Sequence, residues 1–222
     1  PGHAYSGYNL IGNPFTAFYD WKALNLENKA IVPSIWFRTT MPTTSTTSQP
    51  SYVFQSYNLL SGISTKIGSN YASHMIAPMQ AFWVKVADSL TTAKVVFDPK
   101  MRSLTDTFSV GVRFKSKDMS AQPVLRLSVS NGEMMDEAVV YLNAKAGNSF
   151  DAYDTPKMPN GSASTVEIYS LSDNEPLAIN GLNYISDNEQ IKLGFNTGSA
   201  GRFTISASEF AGFESAKPLL LR

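Results

Sequence analysis

Short apolar runs, some alternating and some continuous, recur along the whole chain, each closed by Gly, Pro, Asn or Ser. In the first half they fall at Tyr8 to Ile11, Ser34 to Arg38, Ser51 to Tyr57, Met79 to Val86 and Lys94 to Phe97. Runs of this length, rich in β-branched and aromatic residues, predict strands. In Phe82-Trp83-Val84-Lys85-Val86 the alternate positions are expected to face core and solvent. The best candidate for a helical turn is Trp21 to Asn28, which is too short and too poorly patterned for a long helix.

The second half keeps the style with a different spacing. Its predicted strands are Phe108 to Lys115, Val124 to Ser130, Glu137 to Leu142, Thr165 to Leu171, Pro176 to Ile179, Gln190 to Phe195, Arg202 to Ala207 and a final stub at Leu219 to Arg222. Asn131-Gly132, Asn160-Gly161 and Asn180-Gly181 read as turns, because both residue types accept positive φ. A hairpin is expected across Asn196 to Gly201. The pattern predicts an all-β protein of two β-sandwich or jelly-roll-like domains in tandem, rather than a βαβ fold. A boundary near Met101 to Thr107 divides it into an aromatic-rich small β domain, 1–104, and a second domain, 105–222, expected to be truncated at its C-terminal end. The Thr/Ser/Pro segment from Thr39 to Pro50 reads as an exposed hairpin loop between two strands.

Composition narrows the function classes. Hydrophobic residues make up 43% of the 222, enough for a sizeable core, and charged residues only 16%. With 18 basic and 18 acidic residues and no Lys/Arg cluster, the basic stripe that phosphate binding requires is missing, so nucleic acid is disfavoured as a partner. No cysteine is present, which excludes disulfides, thiol nucleophiles and thiolate metal sites. No apolar run approaches the roughly 20 residues of a membrane helix, so membrane insertion is not expected. The chain opens on Pro1-Gly2-His3 and closes on Leu219-Leu220-Leu221-Arg222, and it is expected to be an internal piece of a longer protein. The closing strand would leave an edge able to pair with another chain.

Candidate chemistry is sparse, and no catalytic motif is recognisable. A histidine mechanism would need His3, near a terminus, or His74, with Ser73 beside it and no carboxylate close in sequence. The expected role of His74 is that of a loop histidine. Asp151 and Asp154 could offer oxygens to Ca²⁺, with Asp136 and Glu137 approaching in space, but the spacing lacks the calcium-loop pattern. The simpler reading is a turn whose carboxylates accept backbone N–H bonds and pair with Lys157. Aromatic residues crowd the first hundred positions. Sugar-binding proteins use exposed rings to cover the apolar side of a sugar, and the segment Phe18-Tyr19-Asp20-Trp21 makes Tyr19 and Trp21 the candidate ligand-binding residues. Core packing is the competing expectation for both.

Two segments carry a family resemblance. Tyr8-Asn9-Leu10-Ile11-Gly12-Asn13-Pro14-Phe15, followed by Asp20-Trp21, resembles a pattern recurring near the C-terminal ends of large secreted proteins of the Bacteroidetes. Ile76-Ala77-Pro78-Met79-Gln80-Ala81-Phe82-Trp83-Val84-Lys85 is similar to a strand of the same proteins. So are Phe97 with Met101-Arg102, Asp136 to Tyr141, Phe150 to Met158, Ile168-Tyr169-Ser170 and Leu177 to Asn180. The resemblance implies the β-rich region that precedes a type IX secretion sorting domain, exposed at the outer cell surface or secreted. It implies a non-catalytic, adhesin-like segment that spaces or presents a functional part and contacts host protein or glycan. A carbohydrate-binding module of a secreted glycan-degrading enzyme and accessory domains of a secreted peptidase are the alternatives. In the residues themselves, Gly12 and Asn13 are expected to take unusual dihedrals at a strand end, and Pro78 to mark the start of a strand.

Overall fold

The computed structural model describes residues 6–22, 30–41, 52–104, 122–161, 165–186 and 190–213. The predicted strands at 108–115 and 219–222, most of the predicted helical turn, most of the Thr/Ser/Pro loop and His3 lie outside them. The described chain is all β. In chain order the first half gives β1 (Tyr8–Gly12), β2 (Phe18–Asp20), β3 (Ser34–Thr40), β4 (Tyr52–Asn58), β5 (Lys66–Ile67), β6 (Asn70–Tyr71), β7 (Met75–Ile76), β8 (Ala81–Lys85) and β9 (Arg102–Ser103). The second half gives β10 (Val124–Ser130), β11 (Met135–Leu142), β12 (Thr155–Pro156), β13 (Val166–Ser172), β14 (Glu175–Leu182), β15 (Leu193–Thr197) and β16 (Thr204–Ala211). Lys94 to Phe97 joins no ladder, although Phe97 still packs on Tyr19 and Trp21.

The first half builds an antiparallel four-stranded sheet in the order β1-β8-β3-β4. One face carries Ile35, Phe37, Tyr57, Phe82 and Val84 into a core closed by Tyr19, Trp21 and Ile76. The other face carries Ser34, Trp36 and Asn58, which are buried as well. That explains the continuous burial of Ser34-Ile35-Trp36-Phe37. The sheet is covered on both sides, and the second cover is the other half of the chain.

The two resemblance segments meet. Asn13 N–H donates to Gln80 O at 3.0 Å, and Met79 N–H to Phe15 O at 3.2 Å. Asn13 Nδ2 donates to Ala17 O at 2.8 Å and Ala77 O at 3.0 Å, while its Oδ1 accepts from Phe15 N at 3.0 Å. Neither Gly12 nor Asn13 has positive φ, so the expected dihedral role is replaced by a bracket of hydrogen bonds. The left-handed residue is Met79, at φ 60, in the turn closed by Gln80 N donating to Ala77 O.

In the second half the ladder runs β15-β13-β14-β11-β10-β16, with β12 paired to β14. β10 and β11 form the hairpin expected at Asn131-Gly132, where Gly132 has φ 94. Strands β10, β11, β13 and β14 share one core, Leu125, Leu127, Val140, Val166, Ile168 and Leu182, with Leu193 of β15 and Phe203, just before β16, packed against it. The sheet therefore curls over its own face. Two expectations fail here. β15 and β16 are not a hairpin: β15 pairs β13 and β16 pairs β10. Asn180-Gly181 is no turn but the interior of β14, parallel to β11. Gly181 is needed because Tyr141 lies across it: an added Cβ would sit 2.7 Å from the phenol oxygen. The hairpin turn lies earlier, at Asp173 (φ 50) and Asn174 (φ 66).

Candidate functional site

Tyr19 and Trp21 offer no platform to a ligand. Both are 0% exposed, and they are corrected here to core residues. β2 sets Tyr19 facing inward, where it stacks with Phe15 at 5.7 Å, and Trp21, just after β2, meets Phe82 edge to face at 4.9 Å. Tyr19 Oη accepts from Asp98 N at 3.1 Å, and burial pushes its hydroxyl pKa up. An aromatic-rich segment in a small β unit was needed to fill the interior, and packing decided the outcome.

His74 does have a carboxylate partner. The β2–β7 ladder pairs Asp20 with Met75, and this register sets Asp20 Oδ1 2.9 Å from His74 Nδ1. The imidazole tilts over Tyr57, with ring centroids 5.6 Å apart. Ser73 Oγ turns to its own backbone, accepting from Met75 N at 3.0 Å. The pair fixes ring orientation and ties the loop before β7 to β2.

Asp151 and Asp154 form a closed turn. Asp151 accepts from Tyr153 N at 2.7 Å and Gly147 N at 2.6 Å, one bond on each oxygen. Asp154 accepts from Asp151 N and Gly181 N, each at 2.8 Å. Every carboxylate oxygen is thus met by a backbone donor. Burial pushes the Asp154 carboxyl up to about 6. The expected partner Lys157 points elsewhere, to Asp136 Oδ1 at 2.6 Å, inside the curl where Asp136 also accepts from Ile168 N. Asp136 and Glu137 point to opposite faces of β11 and do not join the turn. Among the described residues no group of three or more His, Asp or Glu side chains converges as a metal site.

The densest chemistry lies between the two halves. Asn58, 0% exposed, donates from Nδ2 to Ala152 O and Asp154 O at 3.1 Å each, and its Oδ1 accepts from Leu60 N and Ser61 N at 3.0 Å each. Ser34 Oγ and Thr155 Oγ1 are 2.8 Å apart, and Trp36 Nε1 donates to Pro156 O at 3.0 Å. Phe54 N donates to Asn160 Oδ1 at 2.9 Å. On the β10–β11 face, Arg126 Nη1 donates to Ser64 O at 2.6 Å and to Glu137 Oε2 at 3.0 Å, while its Nε reaches Glu209 at 2.8 Å. Glu137 also accepts from Lys66 N at 2.9 Å. Burial pushes the Glu137 carboxyl up, and the Arg126 guanidinium pulls it down. Ile63 closes the seam by packing on Val124, Val139, Tyr141 and Ile179.

A cleft of about 370 Å³ opens beside the β13–β14 turn, lined by Asn148, Asp173, Asn180, Tyr184, Gln190 and Lys192 around Leu171, Leu182 and Ile191. Asn148 fixes its rim, accepting from Asn183 N at 3.0 Å and donating to Tyr184 O at 3.3 Å.

A family model described as Domain of unknown function (DUF8693) matches residues 2–222. The chain belongs to this family. No curated protein and no solved structure matches it.

For this DUF8693 chain, sequence reading missed both the seam and the cleft. Asn58 lies just past a predicted strand and Arg126 inside one, with nothing local to signal a partner 62 residues away at Ser64. The Asp173-Asn174 turn had a cue in its residue types, and that cue marks one wall of the cleft.

Proposed function

We propose that this DUF8693 chain is a non-catalytic structural module of a larger secreted or surface-anchored bacterial protein. It spaces or presents a neighbouring part of that polypeptide, at the outer cell surface or outside the cell. The observation that carries this reading is the seam. Buried polar groups of the two halves bond to one another, so the halves resist being pulled or rotated apart. Polar seams of this kind specify one relative orientation, which a spacer requires. The resemblance to the regions preceding type IX sorting domains in Bacteroidetes proteins supports the cellular address. Each half is read as a jelly-roll-like sandwich, with contact to host protein or glycan as the adhesive component. A carbohydrate-binding module of a secreted glycan-degrading enzyme is the first alternative, and accessory domains of a secreted peptidase the second.

Pulling the chain through its two ends in single-molecule force spectroscopy tests the mechanical reading. One rupture releasing both halves together is expected; two separate low-force events would overturn it. Immunolabelling of intact cells tests the address, and signal only after lysis would sink it.

A further inference from the structure

We infer that the buried Lys157 amine and Asp136 carboxyl condense into an amide, a covalent cross-link between β11 and the segment that follows β12. The first observation is their contact. The Lys157 side chain is 5% exposed and that of Asp136 2%, and Nζ lies 2.6 Å from Oδ1 and 2.5 Å from Oδ2. Touching both oxygens sets Nζ beside Cγ, the carbon they share. Among the described residues no other ion pair buries an amine with a carboxylate. Lys85 reaches Asp88, which stands 70% exposed, and the buried partner of Glu137 is the guanidinium of Arg126, which is no nucleophile.

The second observation is that the pair is poorly satisfied as two ions. An ammonium carries three N–H donors, and among the described residues Nζ meets only this one carboxylate. Taking two charges out of water is repaid only when the remaining donors also find partners. Burial accordingly pushes the Asp136 carboxyl up, against the pull of Lys157. Moving one proton from Nζ to Oδ1 removes both charges. It leaves a neutral amine against a neutral acid, the two species that join as an amide.

The third observation is how the reacting atoms are held. Ile168 N donates to Asp136 Oδ2 at 2.8 Å, a backbone donor on the oxygen that gains charge during attack. Lys157 is fixed through its own N–H, which donates to Pro176 O at 2.7 Å, and Asp136 sits in the β10–β11 ladder opposite Val129. Fixed contact of this kind replaces a bimolecular encounter by an intramolecular step. The step balances within the pair. The Nζ lone pair forms the bond to Cγ, and the π pair of Cγ–Oδ2 moves onto Oδ2. Oδ2 then re-forms the carbonyl as the Cγ–Oδ1 bond breaks, and Oδ1 leaves as water with two protons from Nζ. One N–H and one C=O replace two buried charges, and Ile168 N–H stays on the C=O. The cross-link would anchor the segment that meets Asn58, Ser34 and Trp36 of the first half through Asp154, Thr155 and Pro156.

The test is the intact mass of the whole chain, measured under denaturing conditions after prolonged incubation in the folded state. The wild type is expected to be lighter by one water. Trypsin should then release residues 127–145 joined to 146–192 through Asp136 and Lys157. Lys157→Arg, which keeps the cation and cannot form this amide, should retain its full mass. Wild type kept in urea throughout should do the same, a control that needs no folded variant. The inference is overturned if the wild-type mass is unchanged, if Lys157→Arg loses the water too, or if the lost water maps to a cyclised aspartate within one peptide.

Discussion

Asn58 and Asn180 are two buried asparagines with opposite fates. Asn58 lies in the seam and spends its whole amide on the protein, holding the 152–154 segment with its nitrogen and the Leu60–Ser61 turn with its oxygen. Asn180 lies in β14 with its oxygen unmet, at the wall of an open cleft. The same side chain, buried to nearly the same degree, is fully bonded in one place and keeps an unmet oxygen in the other. Satisfaction of the buried polar atoms, rather than burial, separates the two positions.

That comparison breaks first at the seam. Arg126→Ala leaves Glu137 buried without its cation and Ser64 O without its donor, and it should cost about 3–5 kcal/mol in chemical denaturation. A loss under about 1 kcal/mol would mean the seam is incidental. Asn58→Ala should cost about 3 kcal/mol, since it orphans backbone groups in both halves, and should make fluorescence and circular dichroism transitions diverge. Coincident transitions in that variant would show that the hydrophobic contacts alone hold the halves together.

Next comes Gly181→Ala, which forces a methyl against Tyr141 and should cost about 1–3 kcal/mol. Adding Tyr141→Phe should not restore the loss fully, because the ring carbon lies 2.9 Å away as well. The smallest effect is a pH dependence. Asp154 titrates near 6 in the fold against about 3.9 unfolded, so the folded state binds the proton more tightly. Its contribution is full below about pH 4 and is lost as pH rises through 6, a change of about 1–2 kcal/mol after allowing for relaxation. The stability difference between wild type and Asp154→Asn should shift against the wild type between pH 4 and 7; a flat difference would contradict the assignment.

The strands were legible where periodicity and punctuation agree. Val124 to Ser130 keeps its predicted bounds, because Leu125, Leu127 and Val129 face one core and the Asn131-Gly132 turn closes the run. Asn180-Gly181 has the same residue types as that turn and misled for a non-local reason: Gly181 makes room for a ring from the parallel strand β11. The Tyr19 and Trp21 rings were ambiguous between platform and core, since aromatic composition is the same in both. Asp20 and His74, or Ser34 and Thr155, meet only through strand register, which no local pattern encodes. The two resemblance segments were readable as strand boundaries, and their mutual bracket through Asn13 was not.

The central claim is that the two halves form one cooperative structural unit. Native-state hydrogen exchange tests it most directly, by comparing amides of β3 and β4 with those of β11 and β14. The account predicts one shared opening free energy for both sets in the wild type, separating into two in Asn58→Ala. Exchange of wild-type β3 and β4 at a distinctly lower free energy, with β11 and β14 still protected, would contradict it.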